Sequence, residues 1–204
     1  LGVREYRGER VITPTGGLPG YVSIVTLLPE RNLGIAVLTN AESTEAFSAL
    51  TWQVVDHDLG APATDWTAAY LKLKTRAEAE AAEALGKSAA ARDASSRPSL
   101  PLAKYTGVYT DAWYGDVAIE EAGGHLVMRF TKTPALVGDM EHWQYDTFIV
   151  RRRDRELRAD AYVTFALRPD GSVERAKMAA VSPETDFSYD FQDLDLRPAP
   201  KPRR

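Results

Sequence analysis

The sequence predicts a mainly β protein with some α: an antiparallel hairpin and a helix, a helical connector, then an antiparallel barrel or sandwich of about eight strands. Three observations carry this. Two nearly continuous, β-branched apolar runs, YVSIVTLL and LGIAVLT, flank a turn at residues 29–32. A stretch dominated by alanine and charge, AEAEAAEALGKSAAA, lies near the middle of the chain. From Tyr105 onward, short alternating segments are separated by glycine and aspartate turns.

Taken in order, the first forty residues read as strands at 3–6, 10–13, 21–28 and 33–39, with a glycine-rich turn between the second and third. Runs that are apolar at nearly every position are the pattern of strands buried on both faces, so the last two form a hairpin inside a larger sheet. Ser43 or Thr44 caps a helix whose Phe47, Leu50, Val54 and Leu59 share a face, and Gly60 and Pro62 stop it. Asp65 opens a second helix with an early apolar face of Trp66, Ala69, Tyr70 and Leu73. Its remainder has high helix propensity and little to bury, which makes it an exposed connector. SSRPSLP, residues 95–101, reads as a linker. Strands follow at 106–109, 115–121, 125–131, 135–141, 147–152, 162–168, 173–181 and 187–191, with Gly123-Gly124 and Asp170-Gly171 as hairpin turns. The organisation expected is a sheet and helix over 1–62, a connector over 63–100, a β-barrel unit over 101–197 and a disordered tail over 198–204.

With 44% hydrophobic and 26% charged residues, the chain has the composition of a folded protein. A formal charge of −4 gives no general attraction to phosphate backbones, so nucleic acid is not an expected partner. The basic run at 151–155 is flanked by acids and reads as a solvated strand end or turn. Zero cysteines exclude disulfides, thiolate zinc sites and cysteine nucleophiles. His57, His125 and His142 lie far apart in sequence, and neither a metal nor a cofactor is expected. No apolar stretch is long enough to span a bilayer, and the start at Leu1, without Met or signal peptide, reads as a cut.

The segment Pro14-Thr15-Gly16-Gly17-Leu18-Pro19-Gly20-Tyr21, followed by PERNLG and Leu38-Thr39-Asn40, carries a resemblance. Over residues 1–60 it is similar to the end of the catalytic domain in serine β-lactamase and penicillin-binding-protein-like hydrolases, a class that includes class C β-lactamases, D-aminopeptidases and esterases. There a Lys-Thr-Gly or His-x-Gly triplet on a strand of the α/β hydrolase-type sheet forms one wall of the active site. The resemblance implies that Thr15 orients a substrate carboxylate and that the N–H of Gly17 contributes to an oxyanion hole, where fixed donors stabilise developing charge. Gly16 and Gly17 present a bare backbone that an acyl group can approach. Pro14 stands where the family has Lys or His and supplies neither charge nor N–H. A parent that works without that group, a degenerate parent and an altered position all fit.

No serine here is followed three residues later by Lys, no Tyr-x-Asn occurs, and no Gly-x-Ser-x-Gly is present. The resemblance therefore implies no catalytic residue in this chain, and a parent that hydrolyses an amide or ester, of peptide or β-lactam type, through an acyl-enzyme.

A second set of marks lies downstream: Leu102-x-x-Tyr105-x-Gly107-x-Tyr109, Tyr114-Gly115-Asp116-Val117, His142-Trp143 and Asp146-Thr147-Phe148. Residues 100–195 resemble a lipocalin-like eight-stranded barrel of unknown function often appended to these hydrolases. Tyr109, Trp113, Tyr114, His142 and Trp143, with Tyr105, can line a barrel mouth for a small hydrophobic or peptidoglycan-derived ligand, or else fill the core and rim. Three functions are thus carried forward: a non-catalytic C-terminal region of a hydrolase, an autonomous binding barrel, and a packing or oligomerisation unit. The partners implied are a missing N-terminal hydrolase portion and a second copy, through the sheet edge beside residues 10–14. The resemblance further implies a bacterial parent located in the periplasm or secreted.

Overall fold

The computed structural model describes residues 1–18 and 20–200. It falls into two compact units, divided after Glu80.

In the first unit β1 (Gly2–Tyr6) pairs with β2 (Glu9–Thr13), and β4 (Tyr21–Leu28) is central. One edge of β4 carries β5 (Leu33–Thr39), and the other carries β3 (Thr15–Leu18) followed by β2 at Ile12↔Leu27, all antiparallel. Residues 10–18 thus form one run along β4, interrupted at Pro14, whose carbonyl still accepts from the Val25 N–H at 3.0 Å. The glycine-rich segment expected as a turn is therefore mostly strand, because ladder pairing uses backbone groups that glycine possesses.

Helix α1 (Thr44–Asp58) starts where the Ser43 hydroxyl accepts from the Ala46 N–H, the capping expected from the sequence. It covers one face of the sheet: Trp52 and Val55 pack with Val11 and Leu28. Asp56, buried at the edge of this cluster, accepts from the Tyr6 hydroxyl at 2.6 Å, Trp66 Nε1 at 2.8 Å and Arg7 Nε at 3.1 Å. Burial alone would raise its pKa; those donors and the Arg7 charge outweigh it and hold the carboxylate below its ordinary value.

The opposite face is uncovered. Cross-strand partners share a face, so Val3, Ile12, Leu27 and Val25, with Leu38 beside Ser23, lie together on it. Leu38 is 78% and Val3 62% exposed. The apolar runs predicted burial on both faces, and within this unit one face is covered. Helix α2 (Trp66–Ala90) is capped by Asp65 through the Ala68 N–H at 2.8 Å. Trp66 and Tyr70 join the first core, whereas Leu73, expected on the same apolar face, is exposed.

The second unit is an antiparallel meander of β6 (Gly107–Asp111), β7 (Gly115–Ala122), β8 (His125–Phe130), β9 (Gly138–Gln144), β10 (Thr147–Arg152), β11 (Ala161–Leu167) and β12 (Val173–Ala180), each paired to the next. The eighth strand, β13 (Arg197–Pro198), pairs back onto β6. Leu196 and Ala176 of β12 exchange two backbone hydrogen bonds at 2.7 and 3.1 Å, which nearly closes the sheet into a barrel. Alternate residues point inward and form one contiguous core, including Tyr105, Tyr109, Met128, Phe148, Phe165 and Leu196. Each such fully buried side chain contributes about 1.5–3 kcal/mol.

Three expectations change here. The eighth strand is not 187–191: Phe187–Tyr189 and Phe191–Asp193 are 3-10 turns. The alternating aromatics suggested a strand, but Asp186 accepts from the Ser188 N–H and Asp190 is left-handed (φ 46), which breaks any extended run. The tail from 198 is held at its start, since Pro198 pairs with Tyr109 and the Ala199 N–H donates to Val108; residues 201–204 lie outside the described residues. Burial of Leu194 and Leu196 brings this segment to β6. The basic run is not wholly solvated either. Alternation sends Arg152 inward to 1% exposure, while Arg151, Arg153 and Arg155 form ion pairs outside.

Candidate functional site

The strand for which the resemblance implies an active-site wall, β3, lies on an open edge. Along β3 no strand other than β4 pairs among the described residues, and Thr15, Gly16 and Gly17 are exposed. The bond from the Val25 N–H to the Pro14 carbonyl fixes the phase of the ladder. Antiparallel alternation then turns the N–H groups of Thr15 and Gly17 outward, away from β4. Ser23 lies across from Gly16, its hydroxyl 3.4 Å from the Gly16 carbonyl, and a Cβ at Gly16 would sit 3.0 Å from that hydroxyl. Pro14 contributes a carbonyl and no donor.

The five barrel residues do not form one site. Tyr109 is 2% exposed in the core, its hydroxyl donating to the Tyr105 carbonyl at 2.7 Å; burial pushes its pKa up to about 12. Trp113 is 85% exposed at the tip of the β6–β7 turn, where the Asp111 carboxylate accepts from the Trp113 and Tyr114 N–H groups. The Tyr114 hydroxyl donates to Asp190 at 3.0 Å. His142 and Trp143 are neighbours in sequence on opposite faces of β9. His142 meets the edge of the Phe148 ring and lies 2.8 Å from the Tyr145 carbonyl, whereas Trp143 faces outward against Tyr162. The packed core occupies the space that an interior ligand would need.

Other marks prove to be stitching. The Tyr105 hydroxyl donates to Asp146 and accepts from the Leu100 N–H, while Ser99 donates to Asp146 through both N–H and hydroxyl at 2.8 Å. The segment expected as a linker is thereby tied to the β9–β10 turn. Burial and this bond raise the Tyr105 pKa; for Asp146 the bonds from Tyr105 and Ser99 outweigh burial and lower it.

The sequence reading missed a cavity of about 470 Å³ on the outward face of β9–β11, walled by the last turns of α2 and by residues 181–185. Trp143, Tyr162 and Leu85 are among its apolar lining residues, with the buried Ile149 beneath them. The signal was present in β10, whose Phe148-Ile149-Val150 run is apolar on both faces, the mark of a strand covered on both sides.

Residues 91–198 match the family described as Domain of unknown function (DUF3471). The chain belongs to this family. The match spans the whole DUF3471 barrel, and Tyr105, Tyr109 and Asp146 within it serve the packing just described. The chain is also 29% identical over 178 residues to the Unguisins hydrolase ungD of Aspergillus violaceofuscus (strain CBS 115571). That alignment covers 81% of this chain and 31% of the relative, so the chain spans about a third of the length of the curated protein it matches. Among solved structures, it is similar to the C-terminal domain of penicillin binding protein Rv0907, at 21% identity over 52% of this chain and 93% of that one, with a TM-score of 0.38. It is also similar to SurE with D-Leu, at 13% identity over 97% of this chain and 37% of that one, with a TM-score of 0.39. The resemblance to a C-terminal region of β-lactamase and penicillin-binding-protein-like hydrolases is borne out by the DUF3471 match and the hydrolase relative. No helix is long and apolar enough to cross a membrane among the described residues.

Proposed function

We propose that this DUF3471 chain is the non-catalytic C-terminal region of a serine hydrolase whose whole form cleaves an amide or ester through an acyl-enzyme. The observation that carries the reading is the open edge of β3: an exposed Thr15-Gly16-Gly17 backbone with outward N–H groups, in a chain that has neither Ser-x-x-Lys nor Tyr-x-Asn. Such an edge can receive an extended acyl group and polarise its carbonyl, but it cannot attack it. The uncovered apolar face of the first sheet supports the same reading, since further polypeptide would bury Val3, Val25, Leu27 and Leu38. With Pro14 in the triplet, the cation usual at that position has to come from elsewhere in the whole protein, or the chemistry runs without it. The packed barrel stabilises or positions the hydrolase portion.

The test is the intact mass of the chain after incubation with a fluorophosphonate probe or a reactive β-lactam. The expected result is no adduct, and stoichiometric labelling of one of its own serines overturns the proposal.

A further inference from the structure

The cavity outside the barrel has no part in the reading above. Its lining is mostly apolar, with the Trp143 and Tyr162 rings 5.6 Å apart and Leu85, Ala89 and Val181 around them. At about 470 Å³ it falls within the range of small-ligand sites. The Tyr162 hydroxyl lies 2.9 Å from that of Ser88, so α2 is fixed beside it by a polar contact.

The charges at its rim decide what it selects. Arg155 places two guanidinium nitrogens on Asp160 at 2.7 and 2.9 Å, and Arg151 bridges Asp160 and Glu141 at 3.1 and 3.3 Å. Those charges are engaged with one another. The side chains of Arg158 and Glu184 have no hydrogen-bond or ion-pair partner among the described residues. With Glu141 included the group holds three cations and three anions, so the rim has no net charge, and Arg158 is the cation left free to meet a negative ligand. Arg158 is also left-handed (φ 47), a conformation that glycine or asparagine adopts at lower cost. Local folding does not call for arginine there.

We propose that this cavity binds a hydrophobic carboxylate, its apolar body against Trp143, Tyr162 and Leu85 and its carboxylate paired with Arg158. Apolar burial supplies most of the affinity, and the exposed ion pair selects the charge and orients the ligand. For a ligand of this size the dissociation constant is on the order of 0.1–1 mM. A peptide C-terminus and a free acyl chain share this chemistry.

The experiment follows the Trp143 indole resonance of the full chain, assigned with Trp143→Phe, during titration with N-acetylphenylalanine and with octanoate. N-acetylphenylalaninamide and phenethylamine serve as the neutral and cationic probes. At least one carboxylate is expected to shift the resonance saturably, about fivefold more tightly than either probe. Preference for the first carboxylate indicates a peptide end, and preference for the second an acyl chain. Arg158→Gly is expected to erase the carboxylate advantage while leaving thermal stability unchanged or raised, since glycine relieves the left-handed backbone. Ala89→Trp, at an exposed helix position, is expected to block the cavity and abolish every shift. Equal binding of carboxylate and amide, stronger binding of the amine, unchanged carboxylate binding by Arg158→Gly, or no shift by any probe overturns the proposal.

Discussion

Replacing Arg152 tests the packing of the barrel most sharply, because opposing effects of similar size meet at one side chain. It is 1% exposed, with Nε donating to the Ala159 carbonyl at 2.9 Å and Nη1 to the Leu136 carbonyl at 2.8 Å. The guanidinium carbon lies 5.3 and 5.4 Å from the ring centroids of Phe130 and Phe191. Burial pushes its pKa down to about 10. At neutral pH the folded and unfolded chains both carry the proton, and the lowered pKa means that the site holds the charged side chain about 3 kcal/mol less favourably, relative to its neutral form, than water does. Nη2 adds to it by having no partner among the described residues.

Against this stand two charge-assisted hydrogen bonds of about 1.5–3 kcal/mol each and cation–π contacts of about 1–2 kcal/mol. Arg152→Ala forfeits them, strands two buried carbonyls and opens a cavity, for a loss of about 3–5 kcal/mol. Arg152→Met sheds the charge penalty and keeps most of the volume, and its loss is about half as large. Urea unfolding, followed at the Trp143 indole so that it reports the second unit, measures both. An alanine variant within about 1 kcal/mol of the parent, or a methionine variant as damaging as alanine, refutes the reasoning.

Gly138→Ala is expected to cost several kcal/mol, on the order of an overpacked core, because its Cβ would lie 2.5 Å from the Arg151 carbonyl oxygen, which belongs to a paired strand; loss of cooperative melting checks this. Tyr105→Phe and Asp146→Asn should each destabilise the barrel, and a double-mutant cycle should return a coupling of about 1.5–3 kcal/mol for their charge-assisted bond, whereas additive effects would count against that bond. The bonds from Arg153, and from His125, hold the Asp139 pKa down from 3.8 to about 2. A folded-state pKa below the unfolded one stabilises at higher pH, so this contribution is present above pH 3.8 and is lost as pH falls towards 2, and Asp139→Asn should flatten that part of the acid-unfolding curve. The uncovered sheet face makes concentration-dependent self-association of the isolated chain the expected light-scattering result, and a strict monomer would contradict its availability.

Period and turn chemistry made most strands readable. The alternation of β7, β8 and β11 and the Gly123-Gly124 turn have local causes, and they fold as read. The closing strand was not readable, because Arg197–Pro198 owes its pairing to the burial of Leu194 and Leu196 beside it and not to any pattern of its own. The proposed mouth failed as a cluster for a similar reason. Five aromatic and histidine residues in two short stretches, 109–114 and 142–143, look convergent until strand phase is applied, and β9 then puts His142 and Trp143 on opposite sides. Arg152 was hidden inside a run whose composition reads as solvent-facing. The outer cavity depends on where α2 and residues 181–185 settle, and the apolar run in β10 was its one local sign.

The account rests on the attacking group being absent from these residues. The most direct measurement is hydrolysis of chromogenic esters and amides by the chain alone, repeated with Thr15→Ala and Ser23→Ala. The account predicts rates equal to buffer for all three proteins. Saturable turnover that disappears when one hydroxyl is removed contradicts it.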